Sequence, residues 1–221
     1  DETQIFPMAS TGLAPQDLKY RGEPTALRIG RRNIFREFVT INRGTAGGGG
    51  ETTIGNDNLF MAYVHIAHAC HVGSATIFGP HATLGGHVGV EDFANISAGS
   101  AVHQFCRVGR YGFIGGYSVV TKDALPFGRT IGSRPARVFG VNSIGLSRRG
   151  FTPDTIAQLK LAYRYLLQSK LNTTQALAQI EQDESLSAPE VRYLVEFIRA
   201  SQRGVILRRP TRRAEELVAD E

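Results

Sequence analysis

The sequence predicts a β-solenoid, a parallel β-helix built on a six-residue repeat, followed by a small C-terminal α-helical domain. Three observations carry that expectation. Apolar residues recur at every sixth position through the middle of the chain, small residues sit at a fixed offset from each, and helix start signals appear only after the repeat stops.

The repeat opens with Ile29, Phe35 and Ile41. Two stretches interrupt this early part. Residues 14–25, with the polar run from Gln16 through Asp17, Lys19 and Glu23 to Pro24, form one excursion; residues 43–53, holding Gly47 to Gly50, form a second and shift the repeat by one position. No Gly-Lys-Ser/Thr follows those glycines and no helix opens there, so a flexible corner loop is preferred to a phosphate cradle. Insertions at corners often carry function.

From Ile54 the phase is unbroken through Phe60, Ile66, Val72, Phe78, Leu84, Val90, Ile96, Val102, Val108 and Ile114 to Val120. Four residues after each anchor stand Asn58, Val64, Cys70, Thr76, Ala82, Val88, Ala94, Ser100, Cys106, Gly112, Ser118 and Ala124, mostly small enough for the inside of a narrow coil. Three hexads make one coil, so residue i stacks on i+18, and each coil advances about 4.8 Å. Gly55, Gly73, Gly79, Gly85, Gly109 and Gly115 directly follow anchors, which predicts sharp corners there that need glycine's backbone freedom.

Beyond Val120 the period ends, and Pro126, Pro135 and the stretch Gly140–Phe151 form a connector. Thr152 then Pro153 read as a helix cap and first turn, with Ile156, Leu159, Ala162, Tyr163, Leu166 and Leu167 at helical spacing. A helix is expected around Thr174–Gln182. Ser187 with Glu190 reads as a capping box ahead of Val191, Leu194, Val195 and Ile198. The expected organisation is a β-helix over 1–146, a helical domain over 147–204 and a mobile tail over 205–221.

Composition narrows the function. The chain has 221 residues, 42% of them hydrophobic, with 25 glycines but no collagen-like period. No apolar run is long enough to span a membrane, and no secretion signal opens the chain, which starts at Asp1 and reads as cytoplasmic. The net charge of +5 suits an acidic partner or a phosphorylated substrate without demanding nucleic acid. Arginines pair at Arg148-Arg149, Arg208-Arg209 and Arg212-Arg213. The cysteines, Cys70 and Cys106, lie two coils apart, roughly 9–10 Å at about 4.8 Å per coil. A disulfide needs about 7 Å or less, so both are expected to be reduced filler.

His68, Gly86 and Gln104 each follow an anchor by two residues and so form one outward column, with His87 beside it and His65 and His103 close by. A glycine above an imidazole can present its amide to a developing oxyanion, and histidine takes a proton near neutral pH. His71 and His81 read as solvated surface. The His65-x-x-His68 spacing could alternatively bind metal, but strand and corner positions do not converge, so ligation would need a neighbouring subunit.

The motifs QDLKYRGEPT, FREFVTINRGT, HIAHACHVG, GGHVGVEDFA, AVHQFCRVG and FGVNSIGLSRRGF, in that order, resemble the UDP-N-acetylglucosamine O-acyltransferases of lipid A biosynthesis, from Ile5 to about Gly204. The resemblance implies a left-handed β-helix, a homotrimer with sites between subunits, and transfer of an (R)-3-hydroxyacyl group from acyl carrier protein to the sugar nucleotide UDP-N-acetylglucosamine. It implies no metal and no cofactor beyond the carrier's phosphopantetheine. By motif, His68 is the general base and Gly86 the oxyanion donor. Asp17 and Lys19 hold the sugar; His65, His87, His103 and Gln104 orient sugar and acyl arm; Asn142, Arg148 and Arg149 meet the nucleotide. Gly116 falls where side-chain bulk sets acyl length, and arginines of the helical domain, Arg199 and Arg203 among them, offer a dock for the acidic carrier.

Three departures from the family accompany the match. Ala69 replaces the acid that follows the catalytic histidine. The segment Gly132–Val138 is one residue longer and lacks a family histidine. Family members also start several coils before Asp1. Two other classes fit the repeat alone, a γ-carbonic-anhydrase-like metalloenzyme and a non-catalytic binding remnant.

Overall fold

The structure, a computed structural model, describes residues 2–207. The pairs Arg208-Arg209 and Arg212-Arg213 and most of the 205–221 segment lie outside the described residues.

The chain winds as a left-handed parallel β-helix of triangular section. One face, called A, stacks Gln4–Ile5, Ile34–Phe35, Leu59–Phe60, Ile77–Phe78, Asn95–Ile96, Phe113–Ile114 and Gly128–Ile131. Face B stacks Ser10–Leu13, Thr40–Asn42, His65–Ile66, Thr83–Leu84, Ala101–Val102 and Val119–Val120. Face C stacks Ala26–Ile29, Glu51–Ile54, His71–Val72, Gly89–Val90 and Arg107–Val108. The registers follow the hexad: Phe60 pairs Phe78, Ile66 pairs Leu84 and Val72 pairs Val90.

Stacking of like residues holds the inside together. The Phe35, Phe60 and Phe78 rings lie 5.0 and 4.9 Å apart and are fully buried. Beside them runs a buried polar ladder. Asn58 Nδ2 donates to Asn33 Oδ1 at 2.9 Å, and Thr76 Oγ1 donates to Asn58 Oδ1 at 2.6 Å, so these polar groups are satisfied one coil to the next. Cys70 and Cys106 are free and buried; burial pushes the Cys70 thiol up to about 12.

The corner glycines have a different cause from the one expected. The left-handed backbone falls three residues after most anchors, at Tyr63, Ala69, His81, His87, Phe93, Phe105, Tyr111 and Tyr117 among others, and of these left-handed positions only Gly99 is a glycine. A left-handed non-glycine residue costs roughly 1–2 kcal/mol. Here its amide is repaid with a ladder bond to the preceding coil, as His87 N–H donates to His68 O at 3.0 Å. The glycines directly after anchors are set by crowding instead. A Cβ on Gly55 would lie 2.5 Å from Gly73 O, and one on Gly79 would lie 2.5 Å from Ala98 N.

Both excursions leave the same edge, between faces B and C. The first links Leu13 to Ala26. The second ends at Gly50 rather than at residue 53, because Glu51–Ile54 pairs with Ala26–Ile29; a short 3-10 turn, Ala46–Gly48, lies within it. The hairpin strand Arg137–Val141 runs antiparallel to Gly128–Ile131 and ends face A.

Among the described residues four helices follow: α1 (Ser143–Arg148), α2 (Pro153–Gln168), α3 (Thr173–Gln182) and α4 (Pro189–Arg199). The expected boundary at 146/147 falls inside α1. Thr152 caps α2 through Thr155 N, and Asn172 with Gln175 forms a capping box on α3. The expected Ser187 box on α4 is absent. The cap position is Ala188, buried, with its N–H given to Gln158 Oε1 at 2.8 Å; a contact with α2 fixes this start in place of a side-chain cap. Tyr163 on α2 is buried and donates to Pro126 O at 2.6 Å, docking the helices on the coil. Buried Asp123 accepts from Arg107 N, Arg107 Nε and Ser201 Oγ. Residues 205–207 are docked rather than mobile: Val205 bridges to Asp123, Ile206 N–H donates to Asp123 O, and Ile206 is buried.

Candidate active site

The edge between faces B and C gathers some of the residues that the sequence singled out. His68, Gly86 and Gln104 stack there in successive coils. The His68 ring covers Gly86 so closely that a Cβ on the glycine would sit 2.6 Å from His68 Cε1 and 2.8 Å from Nε2. The Gly86 N–H has no hydrogen-bond partner among the described residues. His68 Nδ1 is buried and likewise unpartnered.

His87 stands edge-on to His68, with ring centroids 5.1 Å apart, and stacks on Phe105 at 4.4 Å. Burial lowers its pKa first and the His68 charge lowers it further, while the charge of Asp17 opposes both. Asp17 belongs to the 14–25 excursion. The excursion is itself organised: Asp17 Oδ1 accepts from Lys19 N at 2.9 Å, and Arg43 Nη2 donates to Tyr20 Oη at 2.7 Å. Lys19 is exposed beside it.

The second excursion packs onto this edge at Ala69 and His87. Gly48 packs against the column so tightly that a Cβ there would meet Ala69 Cβ at 2.3 Å and His87 Cε1 at 2.8 Å. A carboxylate at position 69 would need that turn to move. Gly48 and Phe105 are two site residues that sequence reasoning missed. Phe105 could have been found, since it lies eighteen residues after His87.

His65 lies on face B, not in the column, with Nδ1 2.7 Å from Thr40 Oγ1; burial lowers its pKa. His103 and Gln104 are exposed at the next coil. His103 Nδ1 lies 3.1 Å from the Gln104 carbonyl oxygen and 3.4 Å from Arg203 Nη2, so its tautomer decides which bond forms. Among the described residues no group of three His, Cys, Asp or Glu side chains is placed to hold a metal ion. No helix among them is long and apolar enough to cross a membrane.

Asn142, Arg148 and Arg149 are elsewhere. They line a cleft of about 470 Å³ on face A, opposite the B/C edge in a three-faced prism, with Phe93, Tyr111, Phe113 and Arg129. The Arg149 guanidinium covers the Phe93 ring at 4.9 Å. Asn142 has structural work as well, accepting from Gly145 N and donating to Tyr111 O. Gly116 lies on the remaining edge, between faces A and B. It is exposed, and a Cβ there would meet only Ala98 O at 3.6 Å. One chain therefore assembles the histidine column, and separately the cleft, but does not bring the two together.

The chain is similar to several known proteins. The family model described as UDP N-acetylglucosamine O-acyltransferase, domain 2, matches residues 123–206, and that of bacterial transferase hexapeptide repeats matches residues 51–86. The acyl-(acyl-carrier-protein)–UDP-N-acetylglucosamine O-acyltransferase of Anaeromyxobacter sp. (strain K) is 48% identical over 194 residues, 88% of this chain and 75% of that protein. The protein of the same name from Janthinobacterium sp. (strain Marseille) is 46% identical over 93% of this chain and 79% of its own. Among solved structures, the UDP-N-acetylglucosamine acyltransferase of Bacteroides fragilis 9343 superposes with a TM-score of 0.90 at 45% identity, covering 93% of this chain and 80% of that one. The Francisella novicida enzyme gives 0.89 at 36% identity, covering 97% and 77%. On this similarity the chain belongs to the acyl-(acyl-carrier-protein)–UDP-N-acetylglucosamine O-acyltransferase family.

Proposed function

We propose that the chain transfers an (R)-3-hydroxyacyl group from acyl carrier protein to the 3-hydroxyl of UDP-N-acetylglucosamine, the opening step of lipid A biosynthesis, as a cytoplasmic homotrimer with sites between protomers. The observation that carries this reading is the His68 imidazole lying on the bare backbone of Gly86. His68 Nε2 removes the proton of the sugar hydroxyl as its oxygen attacks the thioester carbonyl. The Gly86 N–H receives the oxyanion of the tetrahedral intermediate. Collapse re-forms the carbonyl and expels the pantetheine thiolate, which takes the proton back from His68. General-base assistance of this kind contributes about 100- to 10,000-fold.

The separation of column and cleft supports the oligomer. Asp17, Lys19 and the histidines of one copy face Asn142, Arg148 and Arg149 of the next, so the sugar lies at the edge and its diphosphate in the cleft. Guanidinium forks suit phosphate oxygens. Of the arginines expected to receive the acidic carrier, Arg199 is paired with Glu181 at 2.7 Å, whereas Arg203 stands over His103 at the top of the column, nearer the acyl arm's path.

Mass spectrometry of the product from UDP-N-acetylglucosamine and a mixture of acyl-carrier thioesters tests the reading. A sugar nucleotide gaining one hydroxyacyl group in ester linkage is expected. Recovery of unmodified acceptor from active-site-saturating protein would refute it.

A further inference from the structure

The cleft on face A contains a cation that the reading above leaves without a role. Gly128 and Thr130 are buried, so the alternation of a strand turns Arg129 and Ile131 outward, into the cleft. Strand register places Arg129 at the end of an outward column running Leu59, Ile77, Asn95, Phe113, Arg129. Its surroundings are mostly apolar: Ile77, Phe113 and Ile131 line the same wall. Arg129 is partly buried yet makes no hydrogen bond or ion pair among the described residues.

Three arginines, Arg129, Arg148 and Arg149, line this cleft and no acid does. A partly desolvated cation without a counter-charge is costly, and three in one cleft repel each other. The arrangement becomes favourable when a ligand supplies more than one negative charge and several acceptor oxygens. A nucleoside diphosphate does so, and a monophosphate offers fewer charged non-bridging oxygens to the same three forks.

Resting on the reading that Arg148 and Arg149 meet the nucleotide, we propose that Arg129 is a third guanidinium contact to the acceptor's diphosphate, and that it makes the site select diphosphate over monophosphate nucleotides.

Calorimetric titration of the whole protein with UDP and with UMP tests this, using wild type, Arg129→Ala, Arg129→Lys and Arg149→Ala, with the oligomer mass of each measured. Arg129→Ala is expected to weaken UDP by about tenfold or more, to weaken UMP by less than about threefold, and to leave the oligomer intact; Arg129→Lys recovers part of the UDP affinity. Unchanged UDP affinity in Arg129→Ala, with loss in Arg149→Ala, overturns the assignment and leaves the cleft reading standing. Unchanged affinity in both removes the nucleotide from this cleft altogether. Dissociation of the oligomer in Arg129→Ala makes the residue a subunit contact and overturns the proposal.

Discussion

The imidazole of His68 rests on the backbone of Gly86, one coil further along the β-helix, with no room between them for a methyl group. Two residues eighteen positions apart thus form one unit, an imidazole and a bare amide, because the hexad repeat stacks them on the same edge. Gly86→Ala should push the ring off its position. Its kcat is expected to fall by about 100-fold or more, with folding and UDP-sugar binding retained, since misplacing an oxyanion donor or base costs of that order. Steady-state kinetics with circular dichroism checks this; a kcat within about threefold of wild type would separate Gly86 from the chemistry.

Gly48 and Ala69 form the second tight pair on this edge. Gly48→Ala must displace Ala69, His87 or the turn itself. A kcat loss of about tenfold is expected, with little change in the unfolding midpoint. Equal losses of activity and stability would make the turn merely structural.

Two histidines make stability depend on pH. His65 and His87 both sit below the ordinary imidazole pKa of about 6.5, chiefly through burial. The unfolded chain therefore binds protons more readily than the folded one just below that value, and stability rises with pH across the window between folded and unfolded pKa. Their contribution is complete above about pH 6.5 and is lost as pH falls below it. Urea midpoints should drop as the pH falls below about 6.5, and His65→Asn should flatten part of the drop. A midpoint rising toward acid would contradict the burial argument.

Gly116 is open enough to accept a side chain, and its φ is not in the left-handed region. Gly116→Met is expected to fold normally and to shift the preferred acyl chain to a shorter length by at least two carbons, about 1.5 kcal/mol of discrimination at roughly 0.8 kcal/mol per methylene. Turnover across a series of acyl-carrier thioesters reads this directly; an unchanged optimum would remove Gly116 from length selection.

The coil was legible because one number, the six-residue step, fixes strand, register and column together. From it follow the interior positions of Cys70 and Cys106, the Phe60–Phe78 stack and the His68–Gly86 pair. Crowding was less legible. Glycines after anchors looked like sharp corners, and only the next coil's backbone shows that they are there for space. The Ser187 cap failed for a similar reason, because a contact from Gln158 on another helix decides that terminus. Gly48 was hidden in a run read as a loose loop, since nothing local says that a corner excursion folds back on Ala69. The face A cleft depends on the antiparallel return of Arg137–Val141, which breaks the repeat, so no stacking rule could have placed Arg129 beside Arg148.

The central claim is that the histidine edge of one copy and the arginine cleft of another make a single site. Mixing His68→Ala with Arg149→Ala protein, each inactive alone, and exchanging subunits tests it most directly. Randomly mixed oligomers with sites between copies pair an intact edge with an intact cleft at about one site in four, so activity near a quarter of wild type is expected. Mixed oligomers confirmed by native mass spectrometry that stay inactive would contradict the account.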